Sequence, residues 1–168
     1  MPDLQKLLLM LFLKSAPQDL TYSAPLTTQM AIAYLFSGII VLRSTLDPEN
    51  ILAGLLLGFA IQYGFIYVVL QALHHRSRFL QTFLAVLGVG MLFNLLSWPV
   101  FSVMADDTES DTLKSTMSLM FLLLVSWEVL VKAHIFRHAL EMKMYSALVL
   151  SFSLLFISIA LSRLLIPA

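Results

Sequence analysis

TMSLMFLLLVSWEVLVKAHIFRH, residues 116–138, is the stretch on which the fold turns. It opens with apolar and small hydroxyl residues and carries no charge until Glu128, after which Lys132, His134, Arg137 and His138 follow at short intervals. A helix of about 20 mainly apolar residues crosses a hydrocarbon core of roughly 30 Å. Residues 116–136 meet that length, so the stretch reads as a membrane span with its ionisable groups gathered at one end. These groups are expected in the inner third of the span, close to a membrane surface. There Lys132 can extend its stem toward the headgroups, and Arg137 and His138 lie in the interface. Glu128 alone is too deep for that. A bare carboxylate is costly in lipid, so it is paired with Lys132 one turn later, protonated, or hydrogen-bonded to a neighbouring helix.

The rest of the chain repeats the pattern. Of its 168 residues 60% are hydrophobic and only 12% charged, and its mean hydropathy is +0.90, which is bilayer composition and not that of a soluble core. Four further segments have the length and apolar content of a crossing, at 25–43, 51–73, 79–101 and 144–166. With 116–136 they form a five-helix transmembrane domain over 25–166. The linkers are short. RSTLDPEN holds a turn at Asp47-Pro48, HHRSR and ADDTESDTLK join the next spans, and a charged turn around RHALEMK separates the last two. The predicted fold class is thus an all-α membrane protein, a five-helix bundle.

Before the first span, LQKLLLMLFLK places Leu4, Leu7, Leu8, Leu11 and Phe12 at helical spacing between Lys6 and Lys14. It is too short to cross. A cleaved secretory signal fits poorly, because Lys14 interrupts the approach to a cleavage site and Pro17 follows. Residues 1–16 are expected to form an amphipathic helix lying in the membrane interface.

Lys and Arg of short loops are retained on the cytoplasmic side. With the N-terminus inside, Lys6, Lys14, Arg76, Arg78, Lys132, Arg137 and Lys143 are cytoplasmic, against Arg43, Lys114 and Arg163 outside. That asymmetry predicts a cytoplasmic N-terminus and an external C-terminus. Net charge is zero, and no basic block suggests nucleic acid as a partner. The absence of cysteine removes disulfides, thiolate metal sites and cysteine nucleophiles.

At about 100° per residue Glu128 and Lys132 share one face of their helix, while Trp127, His134, Arg137, His138 and Glu141 gather on the other. Two histidines four apart can share a metal ion, but no third ligand is evident, and an interfacial band is the simpler reading. Asp107, Glu109 and Asp111 alternate like the first ligands of a calcium loop. Thr112 then stands where that loop needs glycine and Ser118 where it needs glutamate, so a solvated turn accounts for them. No metal or cofactor is expected. Nor is catalysis, since GxSxG, HExxH and phosphate-loop patterns are all missing from the sequence and only one acid lies deep.

Helices in lipid pack through small residues. Gly54 and Gly58 form a GxxxG pair, and Ala147, Ser151, Ser158 and Ser162 fall on one stripe of the last span. These faces join helices within the chain or join two copies of it. In the third span Asn94 and Ser97 can bond across helices, and Pro99 is expected to kink or end the helix near the outer surface.

The run SRFLQTFLAVLGVGMLFNLLSWPV, followed by SWEVLVKAHIFRHALEMKMYSALVLSFSLLF, resembles the Yip-domain family of five-span membrane proteins. The likeness extends over most of 25–166 and rests on hydropathy order and diffuse residue choices. It implies a five-span bundle with a cytoplasmic N-terminus. The short N-terminal helix, in place of the long cytoplasmic region of eukaryotic members, points to a bacterial inner-membrane protein. Two functions fit these observations, and the sequence favours the first, because five spans do not divide into the equal internal repeats usual in transporters. The first is a non-catalytic scaffold or adaptor that binds other integral membrane proteins or organises lipid. The second is a small transporter or channel subunit with a polar pathway around Glu128, Lys132 and Asn94.

Overall fold

The computed structural model describes residues 3–43 and 48–166, with Pro48 and Glu49 given as backbone alone. The turn expected at Asp47-Pro48 falls largely outside the described residues, as do Pro167 and Ala168. Among the described residues the chain is helical, without strands: α1 (Asp3–Leu11), α2 (Ala24–Leu42), α3 (Pro48–Ala72), α4 (Phe79–Met104), α5 (Asp111–Leu140) and α6 (Met144–Leu165), with single 3-10 turns at Pro17–Asp19 and Arg76–Arg78. Helices α2 to α6 are each long and apolar enough to cross a membrane. This is a multi-pass helical bundle preceded by one short helix.

Local chemistry sets the ends. Ser23 and Ser110 cap α2 and α5 by accepting a hydrogen bond from the Leu26 and Leu113 N–H, each at 3.3 Å. Three helices close in the same manner. Leu13, His74 and Glu141 adopt φ of 60°, 60° and 52°, and the next N–H reaches back to the carbonyls of Leu9, Leu70 and Arg137 at 2.9, 2.8 and 3.1 Å. Because nothing breaks α5 before Glu141, it is longer than the expected 116–136, at 30 residues. Helix α4 runs through Pro99 to Met104 and does not end there.

Helix α4 is the hub. Every residue from Thr82 to Gly90 is buried, against α2 on one side and α5 on the other, while α6 packs on α5. Helix α3 touches α2, α4 and α6, and its Ile66 and Leu70 are buried. Close approach occurs on α4, where a Cβ added at Gly88 would sit 2.6 Å from Leu7 Cδ1 and one at Gly90 would sit 2.9 Å from the Tyr34 ring. On α3 a Cβ at Gly58 would meet nothing within 4 Å, so this member of the GxxxG pair makes no close contact within the chain. On the small face of α6 Ala147 and Ser151 are buried and Ser151 Oγ donates to the Val129 carbonyl of α5 at 2.8 Å, while Ser158 and Ser162 are half-buried.

Helix α1 is amphipathic as read, with Leu4, Leu8 and Phe12 exposed and Leu7, Met10 and Leu11 buried. Its buried stripe is covered by protein and not left for headgroups. The Trp127 indole N–H donates to the Leu11 carbonyl at 2.9 Å, His134 Nε2 lies 3.1 Å from the Ser15 carbonyl, and Gln18 donates to the His138 carbonyl. Since a carbonyl only accepts, His134 carries its proton on Nε2. From His138 to Trp127 is roughly 16 Å along the helix, so residues 3–19 enter the bundle at one end, reach about half its depth and return. Asp3 then accepts from the Thr21 N–H at 3.1 Å. The Ala16 N–H, helped by the Ser15 hydroxyl, holds the Asp19 carboxyl below its usual range.

The re-entrant segment generates a test. Gly88→Leu should crowd Leu7 and lower stability in detergent by roughly 1–3 kcal/mol, with partial rescue by Leu7→Ala. Gly58→Leu should leave thermal unfolding nearly unchanged, and equal losses at the two glycines would contradict the packing described.

Candidate functional site

Halving the bounds of each helix puts the centre of α2 at residue 33, α3 at 60, α4 between 91 and 92, α5 between 125 and 126, and α6 between 154 and 155. A cavity of about 220 Å³ lies at this level. Helix α2 contributes Tyr34, α3 contributes Gly58 and Gln62, and α4 contributes Gly90 and Asn94. Helix α5 brings Glu128, Val129 and Lys132, and α6 brings Ser151 and Ser158 beside Leu154 and Leu155. All five spans thus place a polar side chain or a bare glycine at the middle of the bundle.

The depth of Glu128 differs from the sequence reading. Because α5 continues to Leu140, Glu128 lies two to three residues past the helix centre, and only Lys132 leans toward the Leu140 end. The two pair, Lys132 Nζ to Glu128 Oε1 at 2.6 Å, with side-chain exposures of 15% and 28%. The first alternative for the carboxylate, pairing with Lys132, is therefore the one realised. Glutamate four residues before lysine is the favourable order on a helix. Both line the cavity.

Around the pair are neutral groups. Asn94 Nδ2 donates to Ser37 Oγ at 3.0 Å, tying α4 to α2, and Ser37 donates onward to the Tyr34 carbonyl at 2.8 Å. Gln62 Nε2 donates to the Tyr34 hydroxyl. The other end of that amide, Gln62 Oε1, is buried without a partner, although Gln62 as a whole is only 7% exposed. A buried polar atom left unpaired costs about 1–3 kcal/mol, and such groups ordinarily find protein or water.

Sequence reasoning brought together three members of this site, Glu128, Lys132 and Asn94, and the structure unites them. Ser151 and Ser158, read as packing residues, line the same cavity, whereas Ser97, Pro99, Gly54 and Ser162 do not. Tyr34 and Gln62 were missed. Both sit within two residues of the centre of their span, and that position was the signal available. The second stripe of α5, Trp127 with His134 and His138, serves α1 and the chain after it. The two imidazoles lie 4.5 Å apart, edge to face, and His134 Nε2 is committed to a backbone carbonyl.

No protein-family model, no curated protein and no solved structure matches the chain.

The pair is tested by unequal substitutions. Glu128→Ala alone leaves Lys132 charged and without its counter-ion and should cost roughly 2 kcal/mol, less than for a pair sealed from water. Glu128→Leu with Lys132→Met should fold within about 1 kcal/mol of the parent. Chemical unfolding in detergent measures both. A double variant less stable than the single one would contradict the assignment.

Proposed function

We propose that this chain is a non-enzymatic membrane protein that admits a small polar solute to the middle of its bundle, as a transporter or channel subunit. One observation carries the reading: polar side chains from all five spans converge on one cavity at mid-depth. A chain that needed only to anchor or to scaffold would not require it, since polar groups inside a bilayer are expensive and usually mark a pathway. Helix α3 brings Gly58 and Gln62 to the cavity. The basic residues favour a bacterial cytoplasmic membrane with the N-terminus inside, in keeping with the Yip-domain resemblance.

A scaffold that binds another membrane protein is the second reading, and one feature favours it. An open apolar furrow of about 580 Å³ runs between α3 and α6, lined by Gly64, Phe65, Val68, Ile157 and Leu161 among others. It has the shape to receive a helix of a partner protein or of a second copy.

Reconstituted vesicles distinguish the two. Wild-type protein should conduct at least one probe from a panel of polyols, urea, amino acids, monovalent cations and protons, and Gly58→Leu, which fills the cavity, should reduce that flux about tenfold without unfolding. Inserted, folded protein that conducts nothing yet retains a membrane partner through mild detergent would select the scaffold reading.

A further inference from the structure

The charges around the cavity already cancel. Glu128 and Lys132 satisfy one another at 2.6 Å, and no other ionisable carboxylate, amine, imidazole or guanidinium lines the cavity among the described residues. An incoming ion would find no net counter-charge there, and an unbalanced charge taken from water into such a site is strongly disfavoured. A zwitterion would have to part the existing pair. What the cavity offers instead is neutral hydrogen-bonding capacity.

That capacity is specific. The Gln62 amide spends one end on the Tyr34 hydroxyl; the other has neither a protein partner nor accessible surface, so a solute in the cavity that Gln62 lines meets it once the amide turns. Exchanging the amide's oxygen and nitrogen moves the vacancy from acceptor to donor but does not remove it. Asn94 likewise donates to Ser37 and makes no second side-chain hydrogen bond to the described protein. Two unspent amide ends on facing helices, with the Tyr34 hydroxyl beside them, match a molecule that both donates and accepts. A dry apolar cavity of about 150 Å³ accommodates six carbons as benzene, so 220 Å³ suits a solute of about six to nine non-hydrogen atoms.

We infer that the solute is an uncharged polar molecule of polyol or amide type, recognised by the free end of the Gln62 amide together with Asn94. This rests on the proposed role of the cavity. The ion pair then acts as a fixed, electrically neutral wall, and Leu154 and Leu155 cover the solute's carbon skeleton.

Light scattering of proteoliposomes tests the inference with glycerol and urea as uncharged probes, glycine as a zwitterion and potassium as an ion. Glycerol or urea should equilibrate several-fold faster than in protein-free vesicles. Gln62→Met, which keeps the volume and loses the amide, should slow this about fivefold or more, while circular dichroism and size-exclusion profiles stay as in the parent. Passage of glycine or potassium with no passage of glycerol or urea would overturn the solute class and leave the polar pathway standing. Equal glycerol rates in the parent and Gln62→Met would overturn the role of the amide. Folded protein that passes none of the four would remove both the inference and the reading beneath it.

Discussion

The Glu128–Lys132 ion pair near the middle of α5 is the constraint around which the bundle is arranged. In a bilayer neither charge can be left to lipid, and a single pair on one helix would still present several unused hydrogen-bonding positions to hydrocarbon. The other four spans supply the remedy by turning polar or uncrowded positions toward it. Tyr34 and Gln62 bridge α2 and α3, Asn94 and Ser37 bridge α4 and α2, and Ser151 ties α6 to the α5 backbone one residue beyond Glu128. Helix contacts and cavity lining are therefore largely the same set of interactions.

Helix α5 also organises the opposite side of the molecule. Its second polar stripe is occupied by α1 and the return segment, through the indole of Trp127 and the imidazole of His134. The Arg78 guanidinium adds contacts to the Ala139 carbonyl, at 3.1 Å, and to Glu141, fastening the start of α4 to the end of α5. One helix thus holds a polar face toward the cavity and a set of backbone-directed donors toward the re-entrant segment. The seam against α1 is firmly packed, with Leu7 and Met10 fully buried.

Much of the fold was legible because membrane length and polarity are coarse, strong signals. The five spans follow from apolar runs alone, and helix pairing of Glu128 with Lys132 follows from their spacing. What escaped depended on three-dimensional partners. Lys132, Arg137 and His138 are expected near a membrane surface, with Glu128 alone too deep, for a span ending at 136; α5 runs on until Glu141, in the left-handed conformation, stops it. Gly58 belongs to a matched packing motif yet is uncrowded, whereas Gly38, Gly88 and Gly90 are crowded by Leu55, Leu7 and Tyr34, which come from other segments. The burial of α1 required a receiving surface on α4 and α5 that no local pattern describes. The cavity itself was half legible: its charged members are conspicuous, while Tyr34 and Gln62 are ordinary residues until their depth is known.

The central claim is that polar groups at mid-bundle enclose a space that water and small polar molecules enter. The natural absence of cysteine makes it directly measurable. Single cysteines at Gly58, Gly88 and Val68 would be exposed, in membranes, to a small polar methanethiosulfonate reagent, which reacts with thiolate and hence only where water reaches. The account predicts rapid modification at Gly58→Cys and little at Val68→Cys, which faces outward from α3, or at Gly88→Cys, packed under Leu7. A thiol at position 58 as unreactive as the one at 68 would contradict it.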